Sequence, residues 1–112
     1  MAGMKVRTYS RYTMRAINLL GTLIKSNRIE KRIKARELAE RAGISRDLLY
    51  RIEKGDPRVE LGAALEVAAI VGVPLFSADM TEIEERSRQA TEKLTLLPRA
   101  VRNRQIKVND DF

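Results

Sequence analysis

From Ser10 onward, apolar residues recur at Tyr12, Ala16, Leu19, Leu20, Leu23 and Ile24, the spacing of a helix with one buried face. Arg15, Asn18, Thr22 and Lys25 fall mainly on the other side, and Ser10 supplies an N-cap. Gly21 inside this helix costs about 1 kcal/mol relative to alanine, which a close helix crossing would explain. Two short amphipathic segments follow, residues 35–42 and 45–54, separated by Gly43. Gly55-Asp56-Pro57 stops the third helix and turns the chain. A fourth helix is predicted over 59–71, with Leu61, Ala64, Leu65 and Ala68 on one stripe, Gly72 as a left-handed cap and Pro74 forbidding continuation. No run alternates with period two over a useful length, so the expected fold class is all-α.

The fifth predicted helix, residues 79–97, has a different pattern. Met80, Ile83, Ser87, Ala90, Leu94 and Leu97 are spaced 3, 4, 3, 4 and 3, an a/d seam with charged residues over the rest of the surface. So narrow a stripe packs against something: the protein's own core, a second copy, or a partner's groove. Pro98 ends it. The chain therefore reads as a flexible N-terminus (1–9), a helical domain (10–76), a C-terminal helix (77–97) whose seam is Met80, Ile83, Ala90, Leu94 and Leu97, and a flexible basic-then-acidic tail (98–112).

Composition narrows the function. The chain contains no cysteine and no histidine, which removes thiolate chemistry, the commonest general base and the commonest zinc ligands. No Gly-rich phosphate loop or recognisably spaced carboxylate pair is present, so no enzyme, metal site or cofactor is expected. The first apolar run is short and interrupted, and no segment approaches the roughly 20 apolar residues that span a bilayer. The expectation is a soluble cytoplasmic protein without membrane contact. The net charge is +7, and it is unevenly placed: residues 1–58 hold 15 Lys/Arg against 6 Asp/Glu, whereas residues 59–112 hold 7 against 9. The basic half is the half with the two short helices. A polyanion partner is the natural inference, because neutralising phosphates releases counterions; charge alone equally describes a solvated basic surface kept for solubility.

Two helices too short to persist alone are stabilised by packing on each other, and a glycine permits the sharp turn between them. Ser45 then caps a helix that displays Arg46 and Asp47 outward. This is the geometry of a helix-turn-helix, whose second helix enters the major groove of double-stranded DNA. In these residues the sequence resembles the Cro/repressor (Xre-type) DNA-binding families. Leu38, Ala42, Ile44, Leu49 and Ile52 occupy the pattern's apolar positions, Ala39 its small residue and Gly43 its turn glycine. The "RIEKG" stretch, residues 51–55, is similar to the segment that ends the recognition helix. The resemblance implies a lambda-repressor-like domain and a structural ion pair between Arg28 and Glu53. Such families often have Thr-Gln at the start of helix two. Here Lys34-Ala35 stands in that place, so the side-chain cap is lost and Arg36 is expected to take over the phosphate contact.

Ser45, Arg46, Asp47, Tyr50 and Arg51 are the candidate base-contacting residues. Arg46 suits guanine O6 and N7, a fork that discriminates by about 1–3 kcal/mol. Asp47 suits cytosine N4, and equally suits the helix N-terminus with no DNA at all. Tyr50 and Arg51, one turn further on, each serve a base or a phosphate, and Tyr50 equally serves packing. Arg32, Lys34, Arg36, Lys54 and Arg58 are the candidate phosphate contacts.

Beyond the motif, "RAGISRDLLYRIEKGD", "EVAAIVGVPLF" and a tail of the form LLPRAVR…VNDDF together resemble a HipB-like antitoxin. That resemblance implies a homodimer that represses its own operon at a pseudo-palindromic operator and binds a HipA-like serine/threonine kinase toxin. Better-known members dimerise through a small C-terminal β element, which is absent from the sequence pattern here. A stand-alone Xre/Cro-type regulator without a toxin is the alternative.

Overall fold

The computed structural model describes residues 8–101. Ser10 opens the first helix through its hydroxyl, which accepts a hydrogen bond from the Thr13 backbone N–H at 3.2 Å; α1 (Arg11–Glu30) follows. Then come α2 (Ala35–Ala42), α3 (Arg46–Lys54), α4 (Leu61–Ile70) and α5 (Met80–Leu96), with no strand among the described residues. The fold is all-α, as the sequence pattern predicts. The chain divides into two units, one ending at Ala78 and one beginning at Asp79.

In the first unit, four helices share one core. Ile24 from α1, Leu38 and Ala39 from α2, Leu49 and Ile52 from α3, and Ala63, Ala64, Val67 and Ala68 from α4, with Val71 just beyond it, are all buried. Leu20, Ile33, Ala42, Ile44 and Leu48 close its edges. No helix could bury enough apolar area alone; each short helix is held by its neighbours. Asn27 adds a polar tie, its Nδ2 donating to the Val71 carbonyl at 3.0 Å.

All four helices end in the same way. In α2, Gly43 has φ +72, its N–H donates to the Glu40 carbonyl and the Ile44 N–H donates to the Ala39 carbonyl. Gly55 (φ +82) and Gly72 (φ +84) repeat this arrangement after α3 and α4. These paired bonds satisfy carbonyls that a helix end would leave open, and the left-handed backbone they need favours glycine. At the end of α1 the same position is held by Arg32, at φ +61, with the Arg32 N–H bonded to the Ile29 carbonyl and the Ile33 N–H to the Arg28 carbonyl.

Two predicted faces turn out differently. On α1, Leu20 and Ile24 face inward as expected, but Tyr12 is 81 % exposed, and Ala16, Leu19 and Leu23 are exposed as well. The inward row is instead Ile17, Leu20, Gly21 and Ile24. Gly21 decides it: a Cβ there would lie 2.5 Å from the Ile52 carbonyl oxygen and 2.7 Å from that of Glu53. The backbone of α3 therefore sits directly on α1 at this glycine, the close crossing that its presence suggested. On α4, Leu61 is 72 % exposed and Ala63 and Val67 are buried instead. Apart from Glu66 that helix is apolar throughout, so period alone does little to select its inner face. It also starts two residues later than predicted.

The second unit consists of α5 and the residues after it. Asp79 caps α5, its Oδ1 accepting from the Thr81 N–H at 3.0 Å. Arg88 bridges Glu85 (2.6 Å) and Glu92 (2.8 Å) along its surface. No residue of α5 is buried. The expected flexible segments lie largely outside the described residues, including Asp110, Asp111 and Phe112. No described helix is long and apolar enough to cross a membrane.

Candidate nucleic-acid interface

The exposed face of α3 follows from its buried one. Leu49 and Ile52 are buried and Leu48 is half-buried, so the 3.6-residue period puts Arg46, Asp47, Tyr50 and Lys54 outside. Ser45 fixes the start of the helix: its Oγ accepts from the Leu48 N–H at 3.0 Å. Arg46, on the first turn, makes no hydrogen bond or ion pair among the described residues and projects its guanidinium into solvent. Tyr50 is 60 % exposed, and the Lys54 ammonium lies 5.6 Å from its ring centroid, a cation–π contact that orders both side chains on one surface.

The inner edge of α3 is anchored by Arg28. Its Nε and Nη2 donate to the two carboxylate oxygens of Glu53 at 2.8 and 3.1 Å, and its Nη1 donates to the Ile33 carbonyl at 3.1 Å. Both side chains are largely covered, at 12 % and 7 % exposure. One guanidinium thus joins the end of α1, the turn into α2 and α3. These two residues set the position of α3.

Sequence reasoning treats Asp56 only as part of a turn, and here the structure adds a network. Arg51 Nε donates to Asp47 Oδ2 at 3.2 Å, and Arg51 Nη1 lies 3.6 Å from Asp56 Oδ2. Asp56 Oδ1 accepts from the Arg58 backbone N–H at 2.9 Å and from Arg58 Nε at 3.1 Å, while Oδ2 accepts from Arg58 Nη2 at 3.4 Å. The Arg58 side-chain hydrogen bonds hold the Asp56 carboxyl below the usual carboxylate range, and Asp56 in turn raises the Arg58 guanidinium. Of the predicted reading residues, Asp47 and Arg51 are therefore coupled to each other, and Arg51 is coupled through Asp56 to Arg58. The signal available in the sequence was the Asp-Pro-Arg spacing, which permits an aspartate to bond the second backbone N–H after it.

Arg32, Lys34 and Arg36 are exposed in the turn before α2 and on its first residues. Lys34 offers no side-chain cap, so the first N–H groups of α2 have no side-chain acceptor and a basic surround. Met80, Ala90, Leu94 and Leu97 lie exposed along α5 and at its end, with Ile83 half-buried.

No curated protein and no solved structure shows significant similarity to the chain. A family model does match. The helix-turn-helix domain covers residues 19–77, from the middle of α1 past the end of α4, more than half of the sequence. The matched span contains the glycine turn, the capped α3 and its exposed basic face, and on this ground the chain belongs to the helix-turn-helix family of DNA-binding regulators.

Proposed function

We propose that the protein is a dimeric, operator-specific transcriptional repressor that also serves as the antitoxin of a HipA-like kinase. It acts by binding and not by catalysis. The observation that carries the DNA reading is α3: a helix capped by Ser45 whose inner face is fixed by Leu49, Ile52 and Glu53, leaving Arg46, Asp47, Tyr50 and Arg51 to face base edges. Arg46 forks onto a guanine; Asp47, steadied by Arg51, accepts from a cytosine. Arg32, Lys34, Arg36, Lys54 and Arg58 take phosphates and fix the register. Two subunits place their α3 helices in successive major grooves, so half-sites lie roughly 34–36 Å apart.

Support for the dimer and the toxin is of another kind. It rests on the resemblance of "EVAAIVGVPLF" and the LLPRAVR stretch to HipB-like antitoxins, and on the exposed seam of α5, which suits a second copy or a partner helix. The alternative, a stand-alone regulator, is favoured by one observation: α5 stands where better-known antitoxins of this group carry a β element.

Site selection from a random DNA pool tests the first part. The wild-type chain should enrich a two-fold symmetric site, and Arg46→Ala should relax preference at one base pair of each half; an unchanged site would remove Arg46 from base reading. High-salt capture from native cells tests the second, since salt strips phosphate contacts and spares apolar interfaces. A kinase retained with the chain supports the antitoxin; the chain alone supports the regulator.

A further inference from the structure

We propose that Arg51 and Arg58 form one backbone-phosphate clamp, assembled by Asp56 as a positioning residue. The proposal rests on the DNA-binding reading and, of the two roles open to Arg51, takes the backbone over the bases.

Asp56 has a structural task that needs no charge. Its backbone N–H donates to the Arg51 carbonyl and closes the end of α3, and Oδ1 accepts the Arg58 N–H in a local turn that asparagine forms equally well. The rest of the carboxylate is committed to two guanidiniums. Arg58 forks onto both oxygens, and Arg51 Nη1 approaches Oδ2, the oxygen that Arg58 Nη2 also uses. Left alone, two guanidiniums converging on one point repel; the carboxylate between them offsets that and fixes their planes. Asp56 itself is recessed, its side chain 11 % exposed, while Arg58 is 79 % and Arg51 41 % exposed. The negative group is thus recessed while its two positive partners reach solvent.

Donors remain for a ligand. Arg58 Nη1 and Arg51 Nη2 make no hydrogen bond among the described residues, and both belong to guanidiniums that share one carboxylate oxygen, at 3.4 Å from Arg58 Nη2 and 3.6 Å from Arg51 Nη1. Two such donors suit the paired anionic oxygens of one phosphodiester, for which arginine's planar fork is the matching group. Arg51 is also held at Nε by Asp47, which removes a further degree of freedom before DNA arrives. A carboxylate beside a phosphate-binding edge otherwise weakens binding through repulsion. Its place here is accounted for by ordering two long side chains whose immobilisation DNA would otherwise have to fund.

The test uses the full chain and a short duplex of random sequence, since phosphate contacts are sequence-independent. Asp56→Asn keeps the turn, loses the clamp and raises the net charge by one. General electrostatics predicts tighter binding, so the sign of the effect is decisive. The expectation is weaker binding, by about two- to tenfold, the ordering cost of one arginine side chain. Glu66→Gln, the same charge change on the exposed side of α4, should bind no more weakly than wild type. Arg58→Lys keeps the charge but cannot fork, and should lose as much as Asp56→Asn. If Asp56→Asn and Arg58→Lys both bind as tightly as wild type or tighter, the clamp is overturned while DNA binding stands. A wild-type chain that fails to bind the duplex overturns the DNA reading itself, and the clamp with it.

Discussion

The two units of this chain are both helical, yet they are helical for opposite reasons. In the first, α2 and α3 run for eight and nine residues, lengths at which an isolated helix does not persist, and they exist because Leu38, Leu49 and Ile52 are buried against α1 and α4. In the second, α5 runs for 17 residues with nothing buried, and it carries local stabilisation in the Asp79 cap and the Glu85–Arg88–Glu92 chain. Tertiary contact therefore specifies α2 and α3, whereas α5 holds its cap and ion pairs within its own sequence. A break in the first should be cooperative and costly, and a break in the second local and cheap.

The largest effect should come from Glu53→Ala. It strands the Arg28 guanidinium in a covered site between α1, α3 and the α1–α2 turn, and should cost about 3 kcal/mol in thermal or chemical unfolding while α5 keeps its helical signal. Gly21→Ala comes next: the new methyl meets the Ile52 carbonyl, so α1 and α3 must separate, with a loss of about 2 kcal/mol. A smaller change of opposite sign is expected at Arg32→Gly, which relieves the left-handed strain of a side-chain-bearing residue and should raise stability by about 0.5–1 kcal/mol in the same unfolding assay. If Arg32 grips a phosphate, that stabilised variant should also bind DNA more weakly and with a salt slope flatter by about one unit. The smallest effect concerns acid. Glu85 is held below its ordinary range first by Arg88, so its contribution to α5 is complete above the unfolded-chain value of about 4.3 and is lost as pH falls through the lower folded value. Circular dichroism below about pH 4 should show α5 helicity declining. A cooperative loss of all helices in one step at that pH would show that the two regions are not separable in this way.

The same contrast explains what could be read from the sequence. Caps and turns at Ser10, Ser45, Gly43, Gly55 and Gly72 are local events, each carried by one residue type with a particular backbone or hydroxyl, and they are legible without knowing the partners. The span of α5 is legible on the same ground. The inner face of α1 is not: two apolar rows overlap there, and the choice between them depends on how closely the α3 backbone approaches Gly21. Nor does α4, apolar but for Glu66, announce its inner side in full. Arg32 is not legible as a helix terminator because the glycine that usually marks the position is missing. Arg28 and Glu53 lie 25 residues apart and were paired only through a family resemblance; the structure bonds them. The Asp56 network needs the turn after α3 to bring its two arginines together, and no spacing rule for helices reaches across that turn.

The division of labour across α3 bears on how such a protein changes its target over time. Leu49, Ile52 and Glu53 carry the helix's obligations to the fold, and the Ser45 hydroxyl carries its start. Arg46, Asp47 and Tyr50 are exposed and lie outside the core cluster. On the proposed reading, substitutions on that outer surface are released from selection for folding, so a lineage would rewrite the letters it recognises through viable intermediates, one side chain at a time, and drift to a new operator without passing through an unfolded ancestor.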